Sequence, residues 1–151
     1  MLKVTRIKNY KPETIREVNR LMSQIGLTKH SPKPMTKKIF RSLIGQKGVM
    51  LFGACADSKK IGKLFGIVTI YFVRVPSGLT SVVDDLVIDE PYRKWGVGRI
   101  LLEYCINLAR QKRARHINLR TNPARIEANK LYQAMGFNLM KTNFYRINLF
   151  K

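Results

Sequence analysis

The hydrophobic pattern of this chain changes between residues 88 and 97, and this change limits the folds that it can adopt. Residues 80–88 form an apolar, β-branched run typical of a buried strand. Beyond residue 97, apolar residues recur with the spacing of an amphipathic helix: Val97, Ile100, Leu101, Tyr104, Cys105 and Leu108. A short apolar run follows at 116–119. This order predicts two parallel strands joined by a right-handed crossover helix.

The first half of the chain predicts three more strands and two helices. Residues 2–7 predict a short strand, and the apolar runs at 48–56 and 63–75 flank a polar stretch that predicts a hairpin turn at 56–62. A first helix is expected after Pro12, ending at Gly26, and a second after Pro34. The expected apolar faces are Ile15, Val18, Met22 and Ile25 in the first helix, and Met35, Ile39 and Leu43, widened by Phe40 and Ile44, in the second.

The end of the chain predicts another helix and two strands. The apolar stripe of this helix comprises Ala128, Leu131, Tyr132 and Met135. Gly136 is the C′ glycine expected at its end. A short strand from Phe137 and a last strand at 145–150 complete the order β-α-α-β-β-β-α-β-α-β-β. The sequence therefore predicts a single α/β domain over residues 1–151, with a mixed, mostly antiparallel sheet.

The charge balance of the chain favours anionic partners. Its 29 Lys and Arg residues against 9 Asp and Glu residues give a formal charge of +20. This positive charge attracts nucleic acid, a phosphorylated cofactor or an acidic surface, but it does not indicate which of the three is the partner.

Other classes of protein are excluded by composition. Two cysteines, Cys55 and Cys105, and two histidines, His30 and His116, exclude a disulfide-dense scaffold and a cysteine- or histidine-rich metal centre. We therefore expect no metal. The apolar run at 64–73 has about half the ~20 residues that a membrane span needs, and the first residues lack an apolar leader. We expect a cytoplasmic protein.

The segment Arg93-Lys-Trp-Gly-Val-Gly98 lies between the third long strand and the crossover helix. Its glycines permit close approach of a ligand to the backbone, and the helix N-terminus presents unpaired N–H groups. Flanking charges from Arg93, Lys94 and Arg99 complete a predicted phosphate or pyrophosphate site. A tight turn with glycines for geometry alone is the alternative. The third glycine of a dinucleotide fingerprint and the Gly-Lys-Ser/Thr of a Walker loop are both missing.

Two segments resemble one known family. The Arg-x-x-Gly-x-Gly run after a strand resembles the acyl-CoA loop of GNAT-type N-acetyltransferases. Arg125-Ile-Glu-Ala-Asn-Lys-Leu-Tyr-Gln-Ala-Met-Gly-Phe137 resembles that family's Ala-Asn-x-Leu-Tyr-x-x-x-Gly-Phe segment. The spacing of the two segments and the predicted order of elements also fit. The resemblance implies the GNAT fold, with a splayed central pair of parallel strands, and acetyl-CoA as the acyl donor.

The resemblance also implies donor-site roles. Backbone groups of Leu86, Val87 and Ile88 would pair with the pantetheine arm like an added strand, with an amide near Val87 polarising the thioester carbonyl. The pyrophosphate would be held by the loop residues Arg93, Lys94, Trp95, Gly96, Val97, Gly98 and Arg99. Asn129 would hydrogen-bond the cofactor, and Tyr132 would protonate the departing thiolate. Lys94 and Trp95 replace the small or polar residues frequent in this loop.

Two adjacent acids interrupt the apolar strand at 80–88. By position, Asp84 resembles the acid proposed as the base in polyamine-type members of the family, and Asp85 is its neighbour and substitute. Because successive strand residues face opposite sides, only one should face the acceptor unless the strand bulges. The alternative is a structural pair that answers nearby Arg or Lys. Tyr132 could likewise be a core residue, and Cys105 fits a small buried hydrophobe better than an acyl carrier.

Together, these observations predict an N-acetyltransferase that moves an acetyl group directly from acetyl-CoA to a primary amine in a ternary complex. The acceptor, a small amine or a protein amine, is not readable from the sequence. A basic nucleic-acid-binding module is the alternative from another class, suggested by the basic runs at 33–41 and 110–115. An acetyltransferase for an amine borne on RNA or the ribosome combines the two. The sequence leaves a homodimer open.

Overall fold

Five strands and four α-helices are formed in the computed structural model, which describes residues 1–25, 32–56 and 62–150. The strands are β1 (Lys3–Arg6), β2 (Val49–Cys55), β3 (Leu64–Val75), β4 (Gly78–Ile88) and β5 (Ile117–Leu119). The helices are α1 (Pro12–Met22), α2 (Lys37–Gly45), α3 (Val97–Gln111) and α4 (Ile126–Ala134), and a 3₁₀ turn spans Glu90–Tyr92. The chain divides into two compact units, Met1–Arg120, which contains the sheet, and Thr121–Lys151, which contains α4.

The five strands form one sheet in the order β1-β2-β3-β4-β5. The pairs β1–β2, β2–β3 and β3–β4 are antiparallel, and only β4–β5 is parallel. This arrangement confirms the predicted mixed, mostly antiparallel sheet. It also confirms the parallel pair that the strand–helix–strand pattern predicted. Among the described residues, however, the parallel pair lies at the end of the sheet and not at its centre.

A β-bulge interrupts β4 at the two adjacent acids. Ile67 pairs with Val87 and Thr69 pairs with Asp84, so two steps along β3 match three steps along β4. The additional residue is accommodated at Asp85, whose φ of +49° lies in the left-handed region. Pairing between β4 and β5 ends at Val83, so the two strands part before the bulge. Residues 86–88 of β4 consequently extend beyond β5.

The sheet is covered on both faces within the first unit. On one face, a core cluster joins α1 and α2 to the strands and comprises Ile7, Ile15, Val18, Leu21, Phe40, Leu51, Cys55, Leu64, Ile67 and Val87. Adjacent residues of β2 point to opposite faces of the sheet. Leu51 belongs to this cluster, whereas the Phe52 ring lies 4.8 Å from the Tyr104 ring of α3. Helix α3 therefore covers the opposite face, where Leu101, Leu102 and Cys105 are fully buried.

Two helix predictions need correction. Helix α2 begins at Lys37, with the side chain of Thr36 accepting a hydrogen bond from the Ile39 amide. Met35 lies before the helix, and the buried face centres on Phe40, whereas Ile39 is 54% exposed. Leu43 and Ile44 pack against the core as predicted, so the prediction of the apolar face is wrong at Ile39. Helix α1 ends at Met22. Gly26 and most of the predicted hairpin turn at 56–62 lie outside the described residues.

The second unit confirms one prediction and contradicts another. Helix α4 forms as expected and is followed by Gly136 at φ +89°, the C′ conformation that favours glycine. The prediction of two final strands is wrong, because residues 137–150 contain no strand. Alternating apolar residues can form a strand only where a sheet edge is available to satisfy their backbone groups. Here Tyr145, Ile147 and Leu149 are instead exposed.

Candidate active site

A small cavity opens between α1, α2 and the sheet in the first unit. Its volume is about 70 Å³. Its apolar wall includes Val18 and Met22 of α1, Leu43 of α2, and Leu51 and Ile67 of the sheet. Polar groups are contributed by Asn19, Lys33, Thr69 and Asp85. An apolar cavity with a few convergent polar groups is the usual form of a small-ligand site.

Asp85 faces this cavity because of the bulge. Thr69 lines the cavity, and its Cα partner across the sheet is Asp84. An unbulged strand would turn the next residue, Asp85, toward α3. Instead Asp85 lines the same cavity as Thr69. Burial of its carboxyl group, and then the charge of Asp84, raise the pKa of Asp85 above its ordinary value, although part of the residue remains exposed.

Asp84 has two partners within the first unit. The Tyr71 hydroxyl donates to its Oδ2 at 3.4 Å, and Nη2 of Arg120 lies 3.8 Å from the same oxygen. Burial, and then the neighbouring charge of Asp84, raise the pKa of Tyr71. Asp84 therefore fits the alternative given in the sequence analysis, a structural acid that pairs with a nearby arginine. The structure places Asp85, the predicted substitute, on the cavity.

Helix α1 is held in place by residues that the sequence analysis missed. Asn19 binds the backbone of Met35 in both directions, with its Nδ2 donating to the carbonyl at 3.1 Å and its Oδ1 accepting from the amide at 2.9 Å. Asp89, only 2% exposed, accepts hydrogen bonds from Arg20 and Gln24. These contacts join segments far apart in sequence, so no local pattern could have indicated them.

The glycine segment forms the turn into α3, as predicted. Gly96 has φ +81° and precedes the first helical residue, a conformation that other L-residues rarely adopt. Space is open around the position of a Cβ at Gly96, and no side chain caps the helix. The first turn of α3 contains no acidic residue, and Gly98 within it is buried. These amide groups, together with the flanking cations, fit a pyrophosphate.

The other loop residues lie around this turn. Arg93 and Lys94 are exposed, and Nε of Arg93 donates to the carbonyl of Ile88 at 3.3 Å, which ties the loop to the end of β4. Trp95 is exposed and its ring lies 5.9 Å from that of Tyr92. Val97 is buried, and the exposed Arg99 lies 3.9 Å from Glu103.

The end of β4 keeps one side unpaired by β5. Ile88 and Val87 pair with Gly66 and Ile67 of β3, whereas pairing with β5 ends at Val83. Gly66 permits this close packing, since a Cβ there would lie 2.9 Å from the Val87 carbonyl oxygen. Backbone groups of Leu86–Ile88 are therefore positioned to receive an extended ligand as an added strand.

The second unit holds the remaining two predicted residues on α4. Tyr132 is buried, its ring lies 6.1 Å from that of Phe137, and burial raises its pKa. A phenol with a raised pKa stays protonated at neutral pH, as a proton donor must. Asn129 donates through Nδ2 to the carbonyls of Asn122 and Arg125, at 3.1 and 2.9 Å.

Comparison with protein families identifies the chain. A model of the acetyltransferase (GNAT) family matches residues 15–137, most of its length. The chain belongs to the GNAT acetyltransferase family. This confirms the resemblance drawn from the glycine segment and the Asn-x-Leu-Tyr segment. A search of curated proteins found no match.

Solved structures support the GNAT fold over the whole chain. A transcriptional regulator from Bacillus halodurans C-125 superposes with a TM-score of 0.80 at 16% identity, covering 99% of this chain and 100% of that one. An aminoglycoside acetyltransferase from an uncultured soil metagenomic sample gives 0.80 at 19% identity, covering 97% and 96%. A ribosomal-protein-alanine N-acetyltransferase from Brucella melitensis biovar Abortus 2308 gives 0.75 at 17% identity, covering 99% of both chains. Within the described residues, no helix has the length and apolarity to cross a bilayer.

Proposed function

We propose that this GNAT protein is an acetyl-CoA-dependent N-acetyltransferase that acts on a primary amine by direct transfer in a ternary complex. The bulge at Asp85 carries the proposal. It places a carboxylate with a raised pKa in a cavity, and the strand beyond it, which β5 does not cover, leads to an anion-binding turn. The family match crosses the boundary at residue 120, which supports residues 1–151 as one functional domain.

Acetyl-CoA supplies the reactive thioester. The amides of Gly96, Val97, Gly98 and Arg99, with the charges of Arg93 and Lys94, bind its pyrophosphate. Trp95, exposed beside this turn, is available to contact the adenine. The backbone of Leu86, Val87 and Ile88 pairs with the pantetheine arm, and a strand amide near Val87 polarises the thioester carbonyl. Asn129 accepts a hydrogen bond from the cofactor through its amide oxygen, because its amide nitrogen already donates to two carbonyls of the second unit.

Asp85 takes the role of base that the sequence analysis assigned to Asp84. An alkylamine is protonated at neutral pH, so a carboxylate in the cavity attracts the ammonium form and then accepts its proton. A raised pKa makes Asp85 a stronger base than an ordinary aspartate. Asp84 raises it further by like-charge repulsion, while its own contacts with Tyr71 and Arg120 hold it in place.

Tyr132 is the proton donor to the departing thiolate. A direct transfer requires no acyl-enzyme, and the cysteines offer none, since both are buried. Burial raises the pKa of the Cys105 thiol to about 12, which keeps it protonated and unreactive at neutral pH. We propose a cytoplasmic location, which suits a chain with only two cysteines and hence no disulfide-dense scaffold.

The acceptor contributes a primary amine on a slender chain. A cavity of about 70 Å³ holds little more than the amine-bearing end of a molecule, so small amines and the lysine or N-terminal amines of proteins both remain acceptors in this proposal. The test is a panel of both kinds incubated with acetyl-CoA, with release of the free thiol measured. We expect turnover with at least one amine and loss of turnover in Asp85→Asn. A protein that neither binds acetyl-CoA nor releases thiol contradicts the proposal.

A second candidate function, RNA binding, is favoured by the distribution of acids. Residues 32–56 and 104–126 contain no Asp or Glu. Their cations are exposed on α2 and at the end of α3, among them Lys37, Lys38, Arg41, Arg110, Lys112, Arg113 and Arg115. Such surfaces suit an acetyltransferase whose amine is borne on RNA or the ribosome. Affinity for a generic RNA, measured from 50 to 200 mM salt, tests it: this range should weaken binding on the order of 10³-fold for an extended phosphate contact.

A further inference from the structure

The cavity between α1, α2 and the sheet is lined by one charge of each sign. Among the described residues that line it, Asp85 is the only acid and Lys33 the only cation. Asp85 lies at the bulge of β4. Lys33 precedes α2 and is exposed, which places its side chain at the opening of the cavity. Two opposite charges from distant parts of the chain therefore face one cavity.

These two charges do not neutralise each other. Within the part of the chain that the structure describes, neither side chain forms an ion pair with the other or with a third residue. Such an arrangement suits a ligand that carries both signs, because each of its ends then meets an opposite charge. An amine without an anionic group would pair with Asp85 but would bring a second positive charge toward Lys33.

Most of the remaining lining is apolar and adaptable. Met22 of α1, Met35 before α2 and Leu51 of β2 contribute to it. Methionine side chains are flexible and adjust to irregular apolar contacts. The cavity volume of about 70 Å³ corresponds to about two water molecules in the liquid, so only a short chain fits. A few methylene groups beside the amine match this lining in both polarity and size.

The charge of the whole chain favours the same kind of acceptor. At +20, the protein repels an alkylammonium ion, and it repels a diamine more strongly. An amine that also carries an anionic group has no net positive charge, so its approach is not opposed. The charge at the opening of the cavity and the charge of the chain thus select against simple amines and polyamines.

We propose that Lys33 selects the acceptor, a short primary amine that carries an anionic group, a carboxylate or a phosphate, at the other end of an aliphatic chain. This inference rests on the proposed acetyltransferase function. Asp85 binds the ammonium end within the cavity, and Lys33 binds the anionic end at its opening. Lys33 is a specificity-determining residue and takes no part in the transfer of the acetyl group.

Matched acceptors test this specificity. Thiol release from acetyl-CoA is measured with a series of short ω-amino acids and with the alkylamines of the same lengths. Both series carry an alkylammonium end, so the carboxylate is the difference between them. Aminoalkylphosphonates of the same lengths distinguish recognition of a phosphate from that of a carboxylate. We expect kcat/KM to be about fivefold higher for one anionic series than for the alkylamines, as for a charge pair open to solvent.

Substitution of Lys33 identifies the group that recognises the anion. Lys33→Gln should remove the preference by raising KM for the anionic amine about fivefold. Its kcat should be unchanged, because the lost contact is the same in the substrate complex and the transition state. Lys33→Glu should reverse the preference and favour a diaminoalkane. Lys8→Gln removes one positive charge from an exposed residue that does not line the cavity, and it should keep the wild-type preference.

The outcomes separate this inference from the function on which it rests. Equal kcat/KM for alkylamines and anionic amines, or equal loss of the preference in Lys33→Gln and Lys8→Gln, overturns the inference and leaves the acetyltransferase function in place. A fall in kcat at unchanged KM in Lys33→Gln also overturns it, because Lys33 would then act in the transfer step. Absence of thiol release with every compound rejects the proposed function, and the inference with it.

Discussion

Nη1 of Arg20 on α1 lies 2.8 Å from Oδ1 of Asp89, the residue that follows β4. Nη2 of the same guanidinium donates to the Leu64 carbonyl at 3.1 Å and to Glu17 at 2.9 Å. Arg20 therefore fixes α1, which lines the cavity through Val18 and Asn19, to the ends of β3 and β4. The strand end proposed to bind the donor and the helix that borders the acceptor cavity are joined through one ion-pair network.

Substitution Asp89→Asn should destabilise the fold in a pH-dependent manner. Burial alone would raise the pKa of Asp89, but the hydrogen bonds from Arg20 and Gln24 outweigh it and lower the pKa below the ordinary 3.8. Its stabilising effect is therefore complete above pH 3.8 and is lost as the pH falls through the lower, folded-state pKa. At pH 7 we expect a loss of about 1–3 kcal/mol in urea denaturation.

The control for this prediction is Glu103→Gln, which removes the exposed pair with Arg99 at 3.9 Å. An exposed pair contributes about 0–1 kcal/mol, so this variant should unfold close to the wild type. The gap between Asp89→Asn and the wild type should narrow as the pH falls below about 4. A gap that is constant with pH would show that the Asp89 carboxylate charge is unimportant.

Asp85→Asn should remove most turnover and change its pH dependence. Loss of a positioned base costs about 10²–10⁴-fold in kcat. Because the pKa of Asp85 is raised, wild-type activity should rise with pH through that value, and this acidic limb should disappear in the variant. Asp84→Asn is the matched comparison and should have the smaller effect. If Asp84→Asn proves the more damaging, Asp84 is the base that the sequence analysis expected.

The same variant should be more stable than the wild type at neutral pH. A raised folded-state pKa means that the folded protein binds the proton more tightly than the unfolded chain. The stability that protonated Asp85 contributes is therefore present below pH 3.8, its ordinary pKa, and lost as the pH rises through the folded-state value. Urea denaturation should show a higher midpoint for Asp85→Asn at pH 7 and no advantage near pH 3.5. A lower midpoint at pH 7 would contradict the desolvation of this carboxyl group.

The secondary structure of the first unit was largely predictable because its signals are local. The β-branched run at 80–88 and the helical stripe that begins at Val97 place β4 and α3 within three residues of their observed ends. The sequence analysis named a bulge only as the exception that would let both acids face the acceptor. Two adjacent acids mark an unusual point in an apolar strand, but the positive φ of Asp85 depends on how β3 pairs with β4.

Other features depend on contacts that no local pattern contains. The cavity brings together Asn19, Thr69 and Asp85, which are fifty and sixteen positions apart in the sequence. Phe40 and not Ile39 is buried because the start of α2 at Lys37 sets the orientation of the helix. For residues 145–150, alternation predicted which side chains would share a face, but it cannot provide the edge on which a strand must form.

Gly98→Glu should weaken binding of acetyl-CoA by a factor of at least about ten without unfolding the protein. Gly98 is buried in the first turn of α3, where a carboxylate would block the approach of the pyrophosphate and repel its charge. Calorimetric titration measures the affinity, and circular dichroism checks the fold. Gly45→Glu adds the same side chain at the end of α2, in open space, and should bind acetyl-CoA normally. Undiminished affinity in folded Gly98→Glu would reject the phosphate-binding role of this turn.

Tyr132→Phe should reduce kcat by about 10²–10⁴-fold while leaving the affinity for acetyl-CoA and the stability of the fold nearly unchanged. The phenyl ring still fills the buried position beside Phe137, so only the hydroxyl is lost. Tyr104→Phe, on the surface of α3, is the matched control and should retain full activity. Burial raises the pKa of Tyr132 above 10.0, so wild-type turnover should not decline through loss of this proton below pH 10. Steady-state kinetics with the best amine of the panel measure kcat for both variants. Full activity of Tyr132→Phe would make Tyr132 a core residue, and the thiolate would then take its proton from another group.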